Sequence, residues 1–254
     1  MILDTGATVL LCTPSYALHL AEVSRREGIN LRDLQVRITI HAGEPGASIP
    51  GTRARIQETW NALVIDHAGA TEVGAYGLGC LRGRGVHVNE EEFIAEVVRP
   101  GTCEPAAEGE LGELVITNLG RGAWPVIRYR TGDLVRARRG LCECGSSYLL
   151  LDGGIVGRAD EMITVRGMNV FPSALEDVIR SVADLAEYRI IVTKNGEMDE
   201  LVVELEASRP QCNQVSQTIR HQMGIRVNVR PAAPGSLSCS DGKAGRIVDL
   251  RHAR

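Results

Sequence analysis

No stretch of this 254-residue chain approaches the roughly 18 apolar residues that a membrane-spanning helix needs. The opening Met1-Ile2-Leu3-Asp4-Thr5 lacks both the basic region and the apolar run of a secretory leader. A membrane anchor and an export signal are therefore not expected, and the cytoplasm is the expected compartment. An excess of positive charge is missing as well: the formal net charge is -4, which removes any global electrostatic reason to bind nucleic acid or an anionic bilayer. The seven cysteines are odd in number and unevenly spread, so they do not read as a disulfide framework. Reduced thiols, some of them metal ligands, fit better. Internal repeats and low-complexity segments are absent too. What remains is an ordinary globular composition, 44% hydrophobic, long enough for one large or two modest domains with a real core.

The apolar run at 7–12 is ended by Thr13-Pro14, after which Tyr16, Leu20 and Val23 recur at helical spacing up to Gly28. The unit repeats, with a strand at 36–40, a tight loop His41-Ala42-Gly43-Glu44-Pro45-Gly46, and a helix carrying Ile49, Ile56 and Trp60. Strand–helix alternation implies a parallel sheet, whose ligands gather at the carboxyl ends of the strands. The 41–45 loop and Asp66-His67-Ala68-Gly69-Ala70-Thr71-Glu72 would both lie there. From about Gly74 to Leu151 short strands take over (86–88, 93–98, 113–117, 134–136), separated by Gly- and Pro-rich turns, which predicts a small antiparallel subdomain.

Paired glycines in Leu151-Asp152-Gly153-Gly154 make the best hinge candidate. Beyond it come a strand at 162–165, a helix entered through Pro172-Ser173 and a hairpin turning at Lys194-Asn195-Gly196-Glu197. A helix at about 212–223 and a strand at 225–229 complete the pattern β-α-β-β-α-β. The expected architecture is α/β plus α+β. Residues 1–151 form the remainder of a large domain, with an α/β part at 1–73 and a β subdomain at 74–151, and residues 155–254 form a small second domain.

Three segments have side chains suited to phosphate and sugar chemistry. Lys243, in Ser240-Asp241-Gly242-Lys243-Ala244-Gly245-Arg246, is a compact charge in a flexible loop, able to reach a phosphate or simply to face solvent. Asp133, ending Tyr129-Arg130-Thr131-Gly132-Asp133, sits past a Gly turn where a carboxylate can accept both ribose hydroxyls or pair with an arginine. Gly69-Ala70-Thr71-Glu72-Val73-Gly74 offers close backbone approach, a hydroxyl for a phosphate oxygen and a carboxylate for Mg²⁺, or else a plain glycine-rich connection.

Order and spacing together decide among these readings. Cys12-Thr13-Pro14-Ser15-Tyr16, the 41–45 loop, 66–77, the 129–133 motif and Gly242-Lys243 occur in sequence with Gly157-Arg158-Ala159-Asp160-Glu161-Met162 and Arg166-Gly167-Met168-Asn169-Val170-Phe171-Pro172-Ser173. The combination, from about Val9 to Asp249, resembles the phenylacetate-CoA ligase branch of the adenylate-forming superfamily. The resemblance implies an ATP- and Mg²⁺-dependent acid:CoA ligase acting on an aryl or arylacetic carboxylate. It implies that Ala42, Gly43, Glu44 and Pro45 lie against adenine, that Asp66 belongs to the same nucleotide site, and that Thr71 meets the α-phosphate. Glu72 would bind Mg²⁺, Asp133 the ribose, and Arg158 would stand near the nucleotide. Lys243 would close on the reacting oxygens during adenylation, and Arg166 and Gly167 would serve thioester formation with CoA, the small domain acting as a mobile lid. Of the acyl pocket, the surroundings of Tyr16, His41 and Tyr76 are present; aromatic residues make up 4% of the chain, which leaves an aryl substrate open.

Cys142-Glu143-Cys144-Gly145 places two thiols in one turn, and Cys80 and His87 bracket a Gly/Arg-rich loop, together a Cys₃His set suited to tetrahedral Zn²⁺. Some relatives in the phenylacetate ligase branch carry a metal in this subdomain; four unconnected reduced residues are the alternative. The family's Ser/Thr/Gly-rich phosphate loop has no counterpart, since no Ser-Gly-Thr-Thr-Gly-like run occurs. Three readings stay open: a truncated or split enzyme completed by a separate N-terminal fragment, a remnant that binds AMP or an adenylate, and a noncatalytic zinc-stabilised interaction module. Strand edges lacking neighbours also leave a second copy of the chain as a partner.

Overall fold

The computed structural model describes residues 2–120, 122–159, 162–165, 168–183, 186–195, 198–237 and 246–251. They fall into two compact units, Met1–Asp160 and Glu161–Arg254.

The first unit opens with α1 (Ile2–Thr5), β1 (Val9–Cys12), α2 (Pro14–Arg26), β2 (Ile38–His41), α3 (Pro50–Trp60) and β3 (Leu63–Ala70). Helix α2 starts where it does because Thr13 Oγ1 accepts the Tyr16 backbone N–H at 3.2 Å and Pro14 occupies the first turn, where its missing N–H costs nothing. The three strands are parallel and registered in rows: Val9–Ile38–Leu63, Leu10–Thr39–Val64, Leu11–Ile40–Ile65 and Cys12–His41–Asp66. Strand alternation sends successive rows to opposite faces. The Leu10 and Cys12 rows face the helices, where Ala17, Ala21, Ile56, Trp60 and Val64 form one core. Trp60 Nε1 donates to the Ala17 carbonyl at 3.1 Å and pins α3 to α2.

The remaining strands are β4 (Gly74–Gly79), β5 (Gly85–Val88), β6 (Phe93–Val98), β7 (Leu111–Asn118), β8 (Tyr129–Arg138), β9 (Leu150–Asp152) and β10 (Gly157–Arg158). They do not form a detached subdomain. One ten-stranded sheet runs β1-β2-β3-β4-β5-β9-β8-β7-β6, with β10 beside β8. The link is β3, which continues through the segment expected as a loop and pairs antiparallel with β4, with a register shift at Ala68/Gly69. A second core, including Val73, Tyr76, Val86, Leu114, Ile116, Val135 and Leu151, packs under this part.

The glycines expected to form a hinge are instead built into the first unit. Gly153 N–H donates to the Arg84 carbonyl at 2.7 Å and Gly154 N–H to that of Leu151 at 2.9 Å. Their φ values of 80° and 73° explain why glycine stands there. The chain then pairs through β10 with β8, so the division comes after Asp160 rather than at residues 151–155.

The second unit contains β11 (Ile163–Val165), β12 (Met168–Val170), α4 (Pro172–Val182), β13 (Tyr188–Asn195), β14 (Met198–Leu205), α5 (Arg209–Met223), β15 (Asn228–Pro231) and β16 (Ile247–Asp249). Strands β11 and β12 form a hairpin, and a four-stranded sheet runs β15-β14-β13-β16. The expected β-α-β-β-α-β order is present with two added strands, β12 and β16. Leu175, Val178 and Ile179 of α4 and Cys212, Val215 and Ile219 of α5 are buried in one core. Helix α5 begins three residues earlier than its apolar stripe suggests, because Ser208 N–H donates to Gln211 Oε1 at 3.1 Å and Pro210 fits the first turn. Ile225 and Val227, expected in the last strand, are buried in the extended lead-in to β15. Among the described residues no helix is long and apolar enough to cross a membrane.

Candidate nucleotide site and metal cluster

Strand β8 carries Tyr129, Thr131 and Asp133, and its register against β7 shifts between Arg130 and Leu134, so that Thr131-Gly132-Asp133 bulge from the regular pairing. Asp133 is half-buried. Its Oδ2 accepts from the Tyr76 hydroxyl at 3.3 Å and its Oδ1 meets Arg158 Nη1 at 3.4 Å, while the Thr131 hydroxyl takes its backbone N–H at 3.0 Å. Arg158 is placed by the β10–β8 pairing, which sets it directly opposite Asp133. Between them Gly132 has φ 76°, and a Cβ there would lie 2.8 Å from Arg158 Nη2, so both backbone conformation and space require glycine.

Glu72 belongs to the same neighbourhood. It is exposed in the turn between β3 and β4, and its carboxylate receives the Tyr129 hydroxyl. Partial burial first, and the Glu72 charge second, push the Tyr129 phenol above its ordinary pKa; Arg158 and Asp133 are close enough to act on it too. Burial, reinforced by Asp133, raises the Tyr76 phenol as well, so both tyrosines are neutral donors. Glu72, Asp133 and Arg158, expected together from motif order, thus share one corner. Thr71 stands in the same turn as Glu72, which Val73 closes by donating its N–H to the Ala70 carbonyl at 3.2 Å.

The other expected residues that the structure describes make contacts within the fold. Glu44 Oε1 accepts the Ser15 N–H at 2.6 Å in the first turn of α2, where a carboxylate also suits the helix dipole. Ala42, Gly43 and Pro45 form the short loop leaving β2, with Gly43 at φ 89°. Asp66 is buried: the Ser48 hydroxyl donates to its Oδ2 and the His67 N–H to its Oδ1 at 2.9 Å, and burial raises its pKa. Arg130 of the 129–133 motif turns to Glu113, with Nε at 3.1 Å from both carboxylate oxygens. Motif reading alone missed the bridging part of Tyr129, which the bulge at Thr131-Gly132-Asp133 hides from strand periodicity.

Arg166, Gly167 and Lys243 lie outside the described residues. The residues on either side of the lysine segment are well anchored. Glu206 accepts the N–H groups of Gly235 at 2.9 Å and Leu237 at 2.7 Å, which hold its carboxyl below the usual pKa. Arg246 lies over the Tyr188 ring at 5.2 Å and pairs with Glu176 at 3.5 Å and Glu187 at 3.4 Å.

Away from the Asp133 corner, Cys80, His87, Cys142 and Cys144 converge, their ligand atoms all within 4.8 Å of one another. Cys80 Sγ is 3.7 Å from Cys142 Sγ and Cys144 Sγ is 3.2 Å from His87 Nε2. His87 Nδ1–H donates to the Tyr148 carbonyl at 3.2 Å, which leaves Nε2 facing the sulfurs. The turn that presents the thiols is closed by Gly145 N–H to the Cys142 carbonyl at 2.8 Å. The cysteines among the described residues are all free thiols.

Residues 167–251 match the family described as AMP-binding enzyme C-terminal domain. Over 99% of the chain there is 32% identity to a phenylacetate-coenzyme A ligase of Thermus thermophilus, of which it covers 62%, and 34% identity to one of Escherichia coli, of which it covers 60%. The chain therefore spans about three-fifths of the length of the curated relatives it matches. Among solved structures, a 2-hydroxyisobutyryl-CoA ligase in the postadenylation state, in complex with R3-HIB-AMP, matches with a TM-score of 0.87 at 32% identity, over 97% of this chain and 55% of that one. The same ligase with 2-HIB-AMP and CoA matches with a TM-score of 0.61. Over nearly its whole length the chain is thus similar to a portion of the phenylacetate-coenzyme A ligases, and its residues 167–251 match the AMP-binding enzyme C-terminal domain family.

Proposed function

We propose that this chain supplies the ribose site, the metal-binding carboxylate and the lysine loop of an acid:CoA ligase that is completed by a second polypeptide segment. The observation that carries the reading is the corner where Tyr76 and Arg158 hold Asp133, with Glu72 joined to it through Tyr129. A half-buried carboxylate fixed by two donors is pre-oriented to accept paired hydroxyls of a ribose. The 41–45 loop would flank the adenine and Thr71 the α-phosphate.

In the first half-reaction a carboxylate oxygen of the acid attacks the α-phosphorus of ATP, the bond to pyrophosphate breaks, and an acyl adenylate forms. Lys243 brings positive charge to the reacting oxygens, and Arg158 balances Asp133 at the nucleotide. Magnesium, whose preference for hard oxygen ligands suits the exposed Glu72 carboxylate, would neutralise charge between the two anions. In the second half-reaction the CoA thiol sulfur attacks the acyl carbon, AMP leaves and the thiol proton is released. The second unit would act as the lid, with Arg166 and Gly167 facing the thioester step and Lys243 withdrawn. An aryl or arylacetic acid is the proposed substrate, supported by the phenylacetate-coenzyme A ligases among the relatives.

Zinc is proposed at Cys80, His87, Cys142 and Cys144, a soft tetrahedral donor set whose spacings suit Zn–S bonds of about 2.3 Å. Its role there would be structural, since four protein side chains would complete a tetrahedral ion and leave no position for water or substrate.

Calorimetric titration with AMP tests the ribose assignment. Asp133→Asn keeps an acceptor for Tyr76 but loses the charge, and is expected to weaken AMP binding about 10- to 100-fold, as for loss of charge-assisted hydrogen bonds. Unchanged affinity in a variant with unchanged melting temperature would remove Asp133 from the site.

A further inference from the structure

Asn118 is the last residue of β7, and its side chain is engaged at both ends. Its Nδ2 donates to the Val73 carbonyl at 2.6 Å, and its Oδ1 accepts the Gly120 N–H at 2.8 Å. Its backbone N–H donates to the Val126 carbonyl at 3.0 Å. The bond to Val73 joins segments 45 residues apart and lands on the last residue of the turn Ala70-Thr71-Glu72-Val73. That turn closes through the Val73 N–H on the Ala70 carbonyl at 3.2 Å. The β3–β4 ladder reaches only to the Ala70–Gly74 pair, so the Val73 carbonyl lies outside it, and Asn118 supplies the donor that a buried carbonyl needs. Val73 is fully buried while Thr71 and Glu72 are exposed. The two exposed side chains therefore stand on a buried foot held by one amide.

Alternation explains where that amide points. The β6–β7 pairing is regular over Glu113–Asn118, so Leu114, Ile116 and Asn118 share a strand face. Leu114 and Ile116 belong to the core that contains Val73. An aliphatic residue would continue this face; the amide breaks the apolar series at the position that meets the turn.

We infer that Asn118 is a positioning residue for adenylation, fixing the 70–73 turn so that Glu72 presents its carboxylate to the divalent cation and Thr71 its hydroxyl to the α-phosphate. The inference rests on the roles proposed above for Thr71 and Glu72. Asn118 acts through the backbone of Val73 and touches neither nucleotide nor metal. The Tyr129 hydroxyl meets the Glu72 carboxylate from β8, so the carboxylate is steadied at its tip and the turn at its base. Magnesium demands near-ideal octahedral geometry, which makes the placement of a carboxylate ligand as important as its charge.

The test uses the purified full chain, with Mn²⁺ as a paramagnetic probe for a hard-oxygen cation site. Electron paramagnetic resonance reads Mn²⁺ binding at saturating AMP, and calorimetry reads AMP binding in chelator without metal. Asn118→Asp keeps the acceptor for Gly120 but sets an oxygen against the Val73 carbonyl; Asn118→Ala removes both contacts. Each variant is expected to weaken Mn²⁺ binding about 10- to 100-fold, the usual loss when a residue supporting a metal ligand is removed. AMP affinity without metal, which depends on Asp133, should stay within about twofold. Glu72→Gln should abolish Mn²⁺ binding. If Glu72→Gln does so while both Asn118 variants bind Mn²⁺ like the unaltered chain, the proposal is overturned and the Glu72 assignment stands. If Glu72→Gln changes nothing, the Glu72 assignment fails and the proposal with it. Parallel losses of AMP and Mn²⁺ binding in both Asn118 variants, with a lowered melting temperature, mark a residue that only supports the fold and also overturn the proposal.

Discussion

Lys243→Ala, in the chain reconstituted with a complementary N-terminal segment, is expected to slow adenylation by about 10²- to 10³-fold, while thiolysis of a supplied acyl adenylate proceeds nearly as before. The magnitude is that of removing one charge or donor aimed at a transition state in a water-poor site. The asymmetry follows from the chemistry. Bringing a carboxylate to a polyphosphate joins two anions and needs a local positive charge, whereas thiolysis sets a sulfur against a neutral acyl carbon and needs the lysine elsewhere. Lys194→Arg is the natural control, because Lys194 and Lys243 are the only lysines of the chain and Lys194 sits in the β13–β14 hairpin. Rapid-quench measurement of each half-reaction separates the two effects. Equal losses in both steps would contradict the assigned role of Lys243.

Removal of metal from the Cys₃His cluster has the second large expected effect. The purified chain should carry about one equivalent of zinc, as expected of a closed structural site. Stripping it with a strong chelator should lower the melting temperature by on the order of 10 °C, since metal bound only by the folded form contributes directly to stability. Cys80 lies in the β4–β5 connection and Cys142 and Cys144 in the β8–β9 connection, so a shared ion would clamp two hairpins that otherwise meet through the β5–β9 pairing. Cys142→Ser should reproduce the loss, and Cys103→Ser, at an exposed thiol outside the cluster, should not. Less than about a tenth of an equivalent of zinc, with no response to chelation, would contradict a structural metal site of this kind.

Much of this was legible in the sequence because each signal was local. Thr13-Pro14 and Pro172-Ser173 mark helix starts by capping chemistry, and the spacing of Leu175, Val178 and Ile179 marks a buried face. The Cys₃His convergence was legible from paired spacings within a region of short strands, although 62 residues separate Cys80 from Cys142. What was not legible depended on tertiary pairing. Residues 66–70 look like a loop because they are small and polar, yet β4 supplies their hydrogen bonds and makes them strand. Gly153-Gly154 look like a hinge because glycine permits freedom, yet Arg84 and Leu151 accept their N–H groups and use that freedom to close a turn. The partners of the Asp66 and Glu44 carboxylates, Ser48 for the first and Ser15 for the second, also come from segments distant in sequence that no local pattern announces. Propensity describes what a residue allows, and only the partner decides which allowance is used.

The central claim is that Asp133, Glu72 and Lys243 belong to an adenylation site that requires a second segment for the triphosphate. Acid-dependent pyrophosphate release from ATP and phenylacetate tests it most directly, with the chain alone and with the complementary segment added. The account predicts no release by the chain alone, and release on complementation that both Asp133→Asn and Lys243→Ala diminish. AMP binding without pyrophosphate release in the complemented complex, for phenylacetate and a panel of aryl acids alike, would contradict it and leave a nucleotide-binding remnant.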